Sequence, residues 1–135
     1  MTLHEPPMTV WYWQQIGGTL IEEFVLVRRT AEQGKRVVDA LIIPSGERVR
    51  LPPRSPMNIE GKDVVIVQTK SKPLGMNLMG QTLFSLQLVL RFFNPRSARA
   101  VALCTRNDRV LQPMLQAFEG CEVVVCPRDI WNPSS

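Results

Sequence analysis

The chain has few of the residues that build disulfide and zinc sites. Its 135 residues include three cysteines and one histidine. Cys104, Cys121 and Cys126 follow no zinc-ligand spacing, and His4 lies far from them in the sequence. An odd number of cysteines, two of them inside apolar runs, predicts reduced and buried thiols in a cytoplasmic protein.

Long apolar runs, repeats and targeting signals are also lacking. No run approaches the roughly 18 residues that a membrane helix needs, so we expect no membrane association. The first residues, Met1 to Pro7, have neither the basic nor the apolar segment of a secretory signal. The length predicts one domain over residues 1–135, with a Pro-rich tail at 1–8 and a polar tail at 127–135, both flexible.

The charge balance is basic. Lysine and arginine number 16 against 12 acids, which gives a net charge of +4 and a pI near 9.3. This balance is compatible with a polyanionic partner such as a nucleic acid, and equally with solubility alone.

The first apolar segment predicts a helix over about 10–27. Thr9 can cap it, and Gly17-Gly18 either kinks it or divides it in two. Its second half is β-branched, so part of it could instead form a strand. On a helix, Glu23 lies on the apolar face and Glu22 on the far side, so Glu23 is the acid expected to point inward.

The later segments alternate between strand and helix signals. Strands are predicted at 36–43, 61–70, 97–105 and 121–126, a short strand at 48–51 within the long loop 44–62, and helices at 76–93 and from 107 to about 118. Alternation with helices predicts parallel pairing for the late strands, and direct connection predicts antiparallel pairing for the early ones. The expected fold class is α/β, with a central four- to five-stranded mixed sheet flanked by helices.

Three polar side chains interrupt the apolar strands. Asp39 lies in the strand at 36–43, and Gln68 and Lys70 share one face near the end of the strand at 61–70, about 7 Å apart. Carboxylate and amide oxygens suit Mg²⁺, and a neighbouring lysine can orient an attacking water. The plain alternative is an acid paired with an arginine, beside a strand end that reaches solvent.

Asp39 followed by Gln68-Thr69-Lys70, together with the preceding Glu22-Glu23, resembles the PD-(D/E)xK nuclease superfamily, with Gln68 in the position of the usual acid. The element order of helix, strands, helix, strand agrees as well, from about residue 17 to 126. The resemblance implies a restriction endonuclease-like fold and hydrolysis of DNA phosphodiester bonds with Mg²⁺ or Mn²⁺, as an endonuclease or an exonuclease.

The resemblance also implies a role for each polar residue. The metal ligands would be Asp39, Gln68 and one of Glu22 and Glu23; the catalytic set would be Lys70, Asp39, Gln68 and Glu23; and Gln81, near the start of the next helix, would support the site. DNA is the expected partner. We also expect a homodimer, because a domain this small would cover a duplex poorly alone.

Two other hypotheses remain open. Since Gln68 is neutral, the chain could be a catalytically degenerate relative that binds nucleic acid or serves in assembly. It could also be an unrelated small α/β protein that oligomerises through the helix carrying Trp11, Tyr12 and Trp13. In that last case Asp39, Gln68 and Lys70 are not expected to lie within about 8 Å of one another.

Overall fold

The chain folds into one sheet between two layers of helices in a computed structural model that describes residues 4–132. The helices are α1 (Glu5–Ile16), α2 (Met76–Phe92), α3 (Leu111–Gln116) and α4 (Arg128–Trp131). The strands are β1 (Thr19–Val27), β2 (Arg36–Ile43), β3 (Val49–Arg50), β4 (Asp63–Thr69), β5 (Ser97–Cys104) and β6 (Cys121–Val125).

The sheet has six strands in the order β3-β1-β2-β4-β5-β6. Strand β2 is antiparallel to both of its neighbours, whereas the pairs β1–β3, β4–β5 and β5–β6 are parallel. The α/β class is confirmed, as are the antiparallel pairing of β2 with β4 and the parallel pairing of the late strands, whereas the early strand β3 pairs parallel with β1. The sheet exceeds the expected four to five strands because β1 was predicted as part of a helix.

Most strands of the sheet have their carboxyl ends at the same edge. Because β2 runs opposite to its neighbours, its first residue lies at the same edge as the last residues of β1, β4, β5 and β6. We call this the carboxyl edge; its strand-terminal residues are Arg36, Val27, Thr69, Cys104 and Val125.

The two faces of the sheet bury separate apolar clusters. Helices α2 and α3 cover one face, where Leu78, Leu86 and Leu115 pack against the sheet. Helices α1 and α4 cover the other, where Met8 and Tyr12 pack against Leu20, Ala40, Ile42, Val65 and Val67. None of the helices within residues 4–132 is long and apolar enough to cross a membrane.

The predicted helix over 10–27 is wrong in its second half. Gly17 and Gly18 adopt φ of +78° and +82°, so they end α1 rather than kink it. The segment after them forms β1, because its β-branched and aromatic residues suit a pleated surface. The expected tails are also shorter, since residues 5–8 begin α1 with Met8 fully buried, and residues 128–131 form α4. The remaining parts of those tails, 1–3 and 133–135, lie outside the described residues.

Gly18 is expected to tolerate no side chain. A Cβ there would lie 2.1 Å from the carbonyl oxygen of Ile43, in addition to the positive φ. We expect Gly18→Ala to lower the free energy of unfolding by roughly 2–4 kcal/mol, from backbone strain and overpacking together. The control is Gly61→Ala, where φ is +71° and no atom lies within 4 Å of the added Cβ. That variant should lose only about 1 kcal/mol, and equal losses in urea unfolding would contradict the role given to Gly18.

Candidate functional site

The candidate site lies where β2 and β4 stop pairing as regular strands. Ala40 is opposite Val67, and the regular ladder ends there. Val38 and Leu41 both pack on the α2 face although they are three residues apart, so the alternation of β2 changes phase around Asp39. The direction of the Asp39 side chain therefore does not follow from the simple alternation of a regular strand, because that alternation is interrupted at this residue.

Side chains replace backbone hydrogen bonds at this irregularity. The side-chain oxygen of Gln68 accepts from the backbone N–H of Asp39 (3.3 Å), and a carboxylate oxygen of Asp39 accepts from the backbone N–H of Thr69 (2.7 Å). The side-chain nitrogen of Gln68 donates to the hydroxyl of Ser85 on α2 (2.7 Å). Asp39 and Gln68 thus meet, as predicted, and the Gln68 amide links the Asp39 backbone to α2.

Glu5 on α1 supplies a carboxylate that the sequence analysis missed. It is 5% exposed, and one of its oxygens accepts from the backbone N–H of Ser71 (3.2 Å). The N–H groups of Thr69 and Ser71 are two residues apart, and the N–H of Lys70 between them donates to β5. Asp39 and Glu5 therefore bind the same short segment from two different elements, and we call them the carboxylate pair. The sequence signal was available, since Pro6-Pro7 directly after an acid is typical of a first helical turn.

The surroundings of the carboxylate pair disfavour two negative charges. Burial raises the pKa of Asp39, and the neighbouring Glu5 raises it further. The Thr69 N–H and the charge of Lys70 lower that pKa but do not cancel the rise. Lys70 is half-buried, and within residues 4–132 its ammonium group makes no ion pair. Folding therefore favours the protonated form of Asp39.

The other predicted acids lie on β1, next to β2, where the pairs Glu22–Ala40 and Phe24–Val38 place Glu23 at the level of Asp39. Glu22 is buried and its carboxylate accepts from the Nε of Arg50 at 2.7 Å, whereas Glu23 is exposed and paired with Arg54 at 3.0 Å. Both belong to β1, which β2 separates from β4. The prediction that Glu23 points inward from a helix is wrong, because the segment is a strand and Glu22 is its buried acid.

Gln81 is exposed on α2, and it lines a cleft with Gln68 and Ser85 on the α2 face. A different cleft lies at the carboxyl edge, between the end of β4 and the start of α2. Its volume is about 540 Å³, and Glu5, Lys70 and Lys72 are among its lining residues. Gln81 therefore does not join the carboxylate pair.

The predicted metal ligands Asp39, Gln68 and one of Glu22 and Glu23 are not assembled, because both glutamates form ion pairs with arginines. Among residues 4–132, no three histidine, cysteine, aspartate or glutamate side chains come together as a metal site. A smaller donor set does fit a hard cation, since Mg²⁺ is commonly held by one or two carboxylates while waters and phosphate oxygens complete its shell. Asp39 and Glu5 supply two carboxylates that bind the same backbone segment.

The cysteines offer no alternative chemistry. Cys104, Cys121 and Cys126 are free and buried, as predicted for buried thiols. Burial raises the pKa of all three thiols, that of Cys126 to about 12. At neutral pH the nucleophilic thiolate is therefore scarce.

Positive charge is concentrated at the carboxyl edge. Nine cations begin or follow the strands there: Arg28, Arg29, Lys35, Arg36, Lys70, Lys72, Arg106, Arg109 and Arg128. The ion pairs within the described part of the chain use other arginines, namely Arg50, Arg54, Arg96 and Arg99. The nine cations thus keep their charge available to a partner.

Compared with models of known protein families, with curated proteins and with solved structures, the chain matches none. The chemistry of the site therefore has to be inferred from its own residues.

Because folding raises the pKa of Asp39, we predict that ionisation of its carboxyl group lowers the free energy of unfolding. An acid whose pKa is raised by folding contributes full stability below its unfolded pKa, about 3.9, and that stability is lost as the pH rises through the folded value. Asp39→Asn keeps an oxygen to accept from Thr69. In EDTA we expect this variant to gain stability relative to the native chain between pH 4 and pH 7, measured by urea unfolding.

Asp63→Asn is the matched control and has the opposite sign. Hydrogen bonds from Arg96 and Ser97 lower the pKa of Asp63, so its contribution is present above the unfolded pKa and disappears as the pH falls through the folded one. That variant should lose stability at pH 7 and approach the native chain in acid. If both variants change stability in the same direction with pH, the charge environment assigned to Asp39 is wrong.

Proposed function

We propose that this chain is a metal-dependent hydrolase of DNA phosphodiester bonds, with a restriction endonuclease-like arrangement. The observation that carries the proposal is the carboxylate pair, which is fixed to the backbone on either side of Lys70; Glu5 and Lys70 also line a cleft of the carboxyl edge. The order α1, β1, β2, β4, α2, β5 agrees with the order of elements on which the resemblance rests. In this proposal Glu5 takes the helical position that the sequence analysis gave to Glu22 or Glu23.

The carboxylate pair would hold Mg²⁺ or Mn²⁺. Two carboxylates that share a partly buried site repel each other, and a divalent cation removes that repulsion. The backbone N–H groups of Thr69 and Ser71 already fix one oxygen of each acid, so binding costs little further ordering. Such a cation would neutralise charge on the phosphate and lower the pKa of a bound water.

Lys70 would act on the phosphate or on the attacking water. It follows β4 directly, lines the cleft, and makes no ion pair within residues 4–132 that would hold it away. An ammonium group placed there can donate to a phosphate oxygen as negative charge develops. Lys72, in the same cleft, would contact a neighbouring phosphate.

The carboxyl edge suits a nucleic-acid backbone. From β1 to β6 it spans four strand intervals, about 19 Å at 4.8 Å each, which is the length of about five phosphates of one B-form strand. The nine cations are distributed along this length, after β1, β4, β5 and β6 and at the start of β2. A homodimer, which stays part of the proposal, would double that charged length.

A non-catalytic nucleic-acid-binding module is the second candidate. It is favoured by Gln68, whose amide is occupied by Asp39 and Ser85, so that two carboxylates remain where the resemblance implies more ligands. This candidate keeps the DNA partner and loses the metal.

Cleavage assays with matched variants test the proposal. Nicking of supercoiled plasmid in Mg²⁺ or Mn²⁺ should fall at least about 100-fold in Asp39→Asn and Glu5→Gln, which keep their hydrogen-bond oxygens and lose the charge. Lys70→Ala should lose about 100-fold. Asp63→Asn, at the opposite end of β4, should cleave normally.

Two results would count against hydrolysis in different ways. If Asp39→Asn cleaves as well as the native chain, the site is wrong. If the native chain binds DNA in EDTA but cleaves it with neither metal, the second candidate is correct.

A further inference from the structure

A second cleft at the carboxyl edge combines apolar walls with unpaired positive charge. It lies between the end of β1 and the loop before β4, and its volume is about 440 Å³. Its apolar lining includes Phe24, Leu26, Met57 and Phe93, and its cations are Arg28, Arg29, Lys35 and Arg54. We call it the β1 cleft.

The backbone is strained where the β1 cleft is built. Glu23 and Arg54 have φ of +52° and +63°, a left-handed conformation that is unfavourable for residues other than glycine. Their side chains form an ion pair at 3.0 Å, and the N–H of Arg54 donates to the carbonyl of Glu22 at 2.9 Å. The strand changes phase there, so that Ile21 and Phe24, three residues apart, pack on the same face of the sheet. This irregular backbone brings an apolar wall and a cation into one cleft.

The charge of the β1 cleft is not compensated by the protein. No acid lines it. Within residues 4–132, Arg28, Arg29 and Lys35 are exposed and make no ion pair, while Arg54 is the one lining cation that has a partner. Three unpaired cations beside an apolar surface are suited to bind a ligand that carries several negative charges next to an apolar group.

We propose that the β1 cleft binds an unpaired nucleotide of a single-stranded DNA segment. A cleft of this size is in the range of small-ligand pockets. Aromatic and apolar side chains hold base faces, and arginines and lysines hold the flanking phosphates, which is how proteins bind single strands with little sequence preference. A paired base is stacked inside the duplex and presents no free face to Phe93 or Met57. A fatty acid carries one charge and would leave most of the cations unused.

This inference extends the proposed function, because it defines the form of DNA that the protein selects. Val27 at the end of β1 pairs with Arg36, and Asp39 lies three residues further along β2, about 10 Å away. A smaller cleft that shares Leu26 with the β1 cleft reaches Gln68. The β1 cleft and Lys70 both lie at the carboxyl edge, so a strand with an unpaired nucleotide in the β1 cleft would extend its neighbouring phosphates along that edge towards Lys70.

Binding measured in EDTA tests the inference without any need for hydrolysis. The probes are fluorescent oligo(dT), an abasic deoxyribose-phosphate strand of equal length and charge, and a duplex of equal length, followed by anisotropy. The native chain should bind oligo(dT) about tenfold more tightly than the abasic strand, which is the value of one stacked base. Phe93→Ala should abolish that preference, and Met57→Ala in the loop should weaken it, which keeps the test valid if the Phe93 variant fails to fold.

Charge variants separate the β1 cleft from the rest of the edge. Arg28→Ala/Arg29→Ala and the control Arg106→Ala/Arg109→Ala remove the same charge from one edge, so both should weaken duplex binding alike. Only the first pair should also reduce the preference for oligo(dT) over duplex.

The inference is overturned if the native chain binds oligo(dT) and the abasic strand equally well. It is also overturned if a fluorescent fatty acid binds more tightly than oligo(dT) and oligo(dT) cannot displace it. Loss of cleavage with base-dependent binding intact would contradict the proposed hydrolysis alone. Cleavage without base-dependent binding would contradict the β1 cleft alone.

Discussion

The hydrogen bonds from residues 69–71 to the carboxylate pair are the constraint on which the site depends. Strand β4 continues past the last regular pair with β2, so the N–H groups of Thr69 and Ser71 need other acceptors. An unsatisfied buried N–H is costly, and a carboxylate is a strong acceptor. Asp39 and Glu5 satisfy them, and Thr9 of α1 adds a hydroxyl contact to Thr69 at 2.8 Å. The docking of α1 and the position of the two acids therefore have one cause.

The same geometry explains why a glutamine occupies position 68. The hydroxyl of Ser85 donates to the carbonyl of Gln81, so its oxygen is left as an acceptor for a neighbouring donor. An amide can donate to Ser85 and accept from the Asp39 N–H at once, which a carboxylate cannot do without turning the Ser85 hydroxyl. The neutral side chain is thus explained by packing against α2, whether or not the carboxylate pair holds a metal.

The sequence predicted the parts of the fold that local signals control. Periodicity and end signals located β2, β4, β5, β6 and α2, and connection lengths gave the strand directions. Strand β1 was missed because its apolar residues fit a helical period, and because the left-handed Glu23 breaks the alternation that would have marked a strand. Glu23 in this conformation pairs with Arg54, which is distant in sequence, and no local pattern predicts that contact.

The site could be predicted only in outline for a related reason. That Asp39 would meet Gln68 follows from adjacent antiparallel strands, but the direction of each side chain depends on a change of phase that Ser85 and Thr69 help to fix. Strand reversal then places the site within the charged edge. Because β2 alone runs opposite to its neighbours, it brings its amino-terminal half, with Asp39, among the carboxyl ends of the other strands. A carboxylate pair is thereby held among cations without ion pairs, and the proposed binding of a metal ion next to a nucleic-acid backbone rests on this combination.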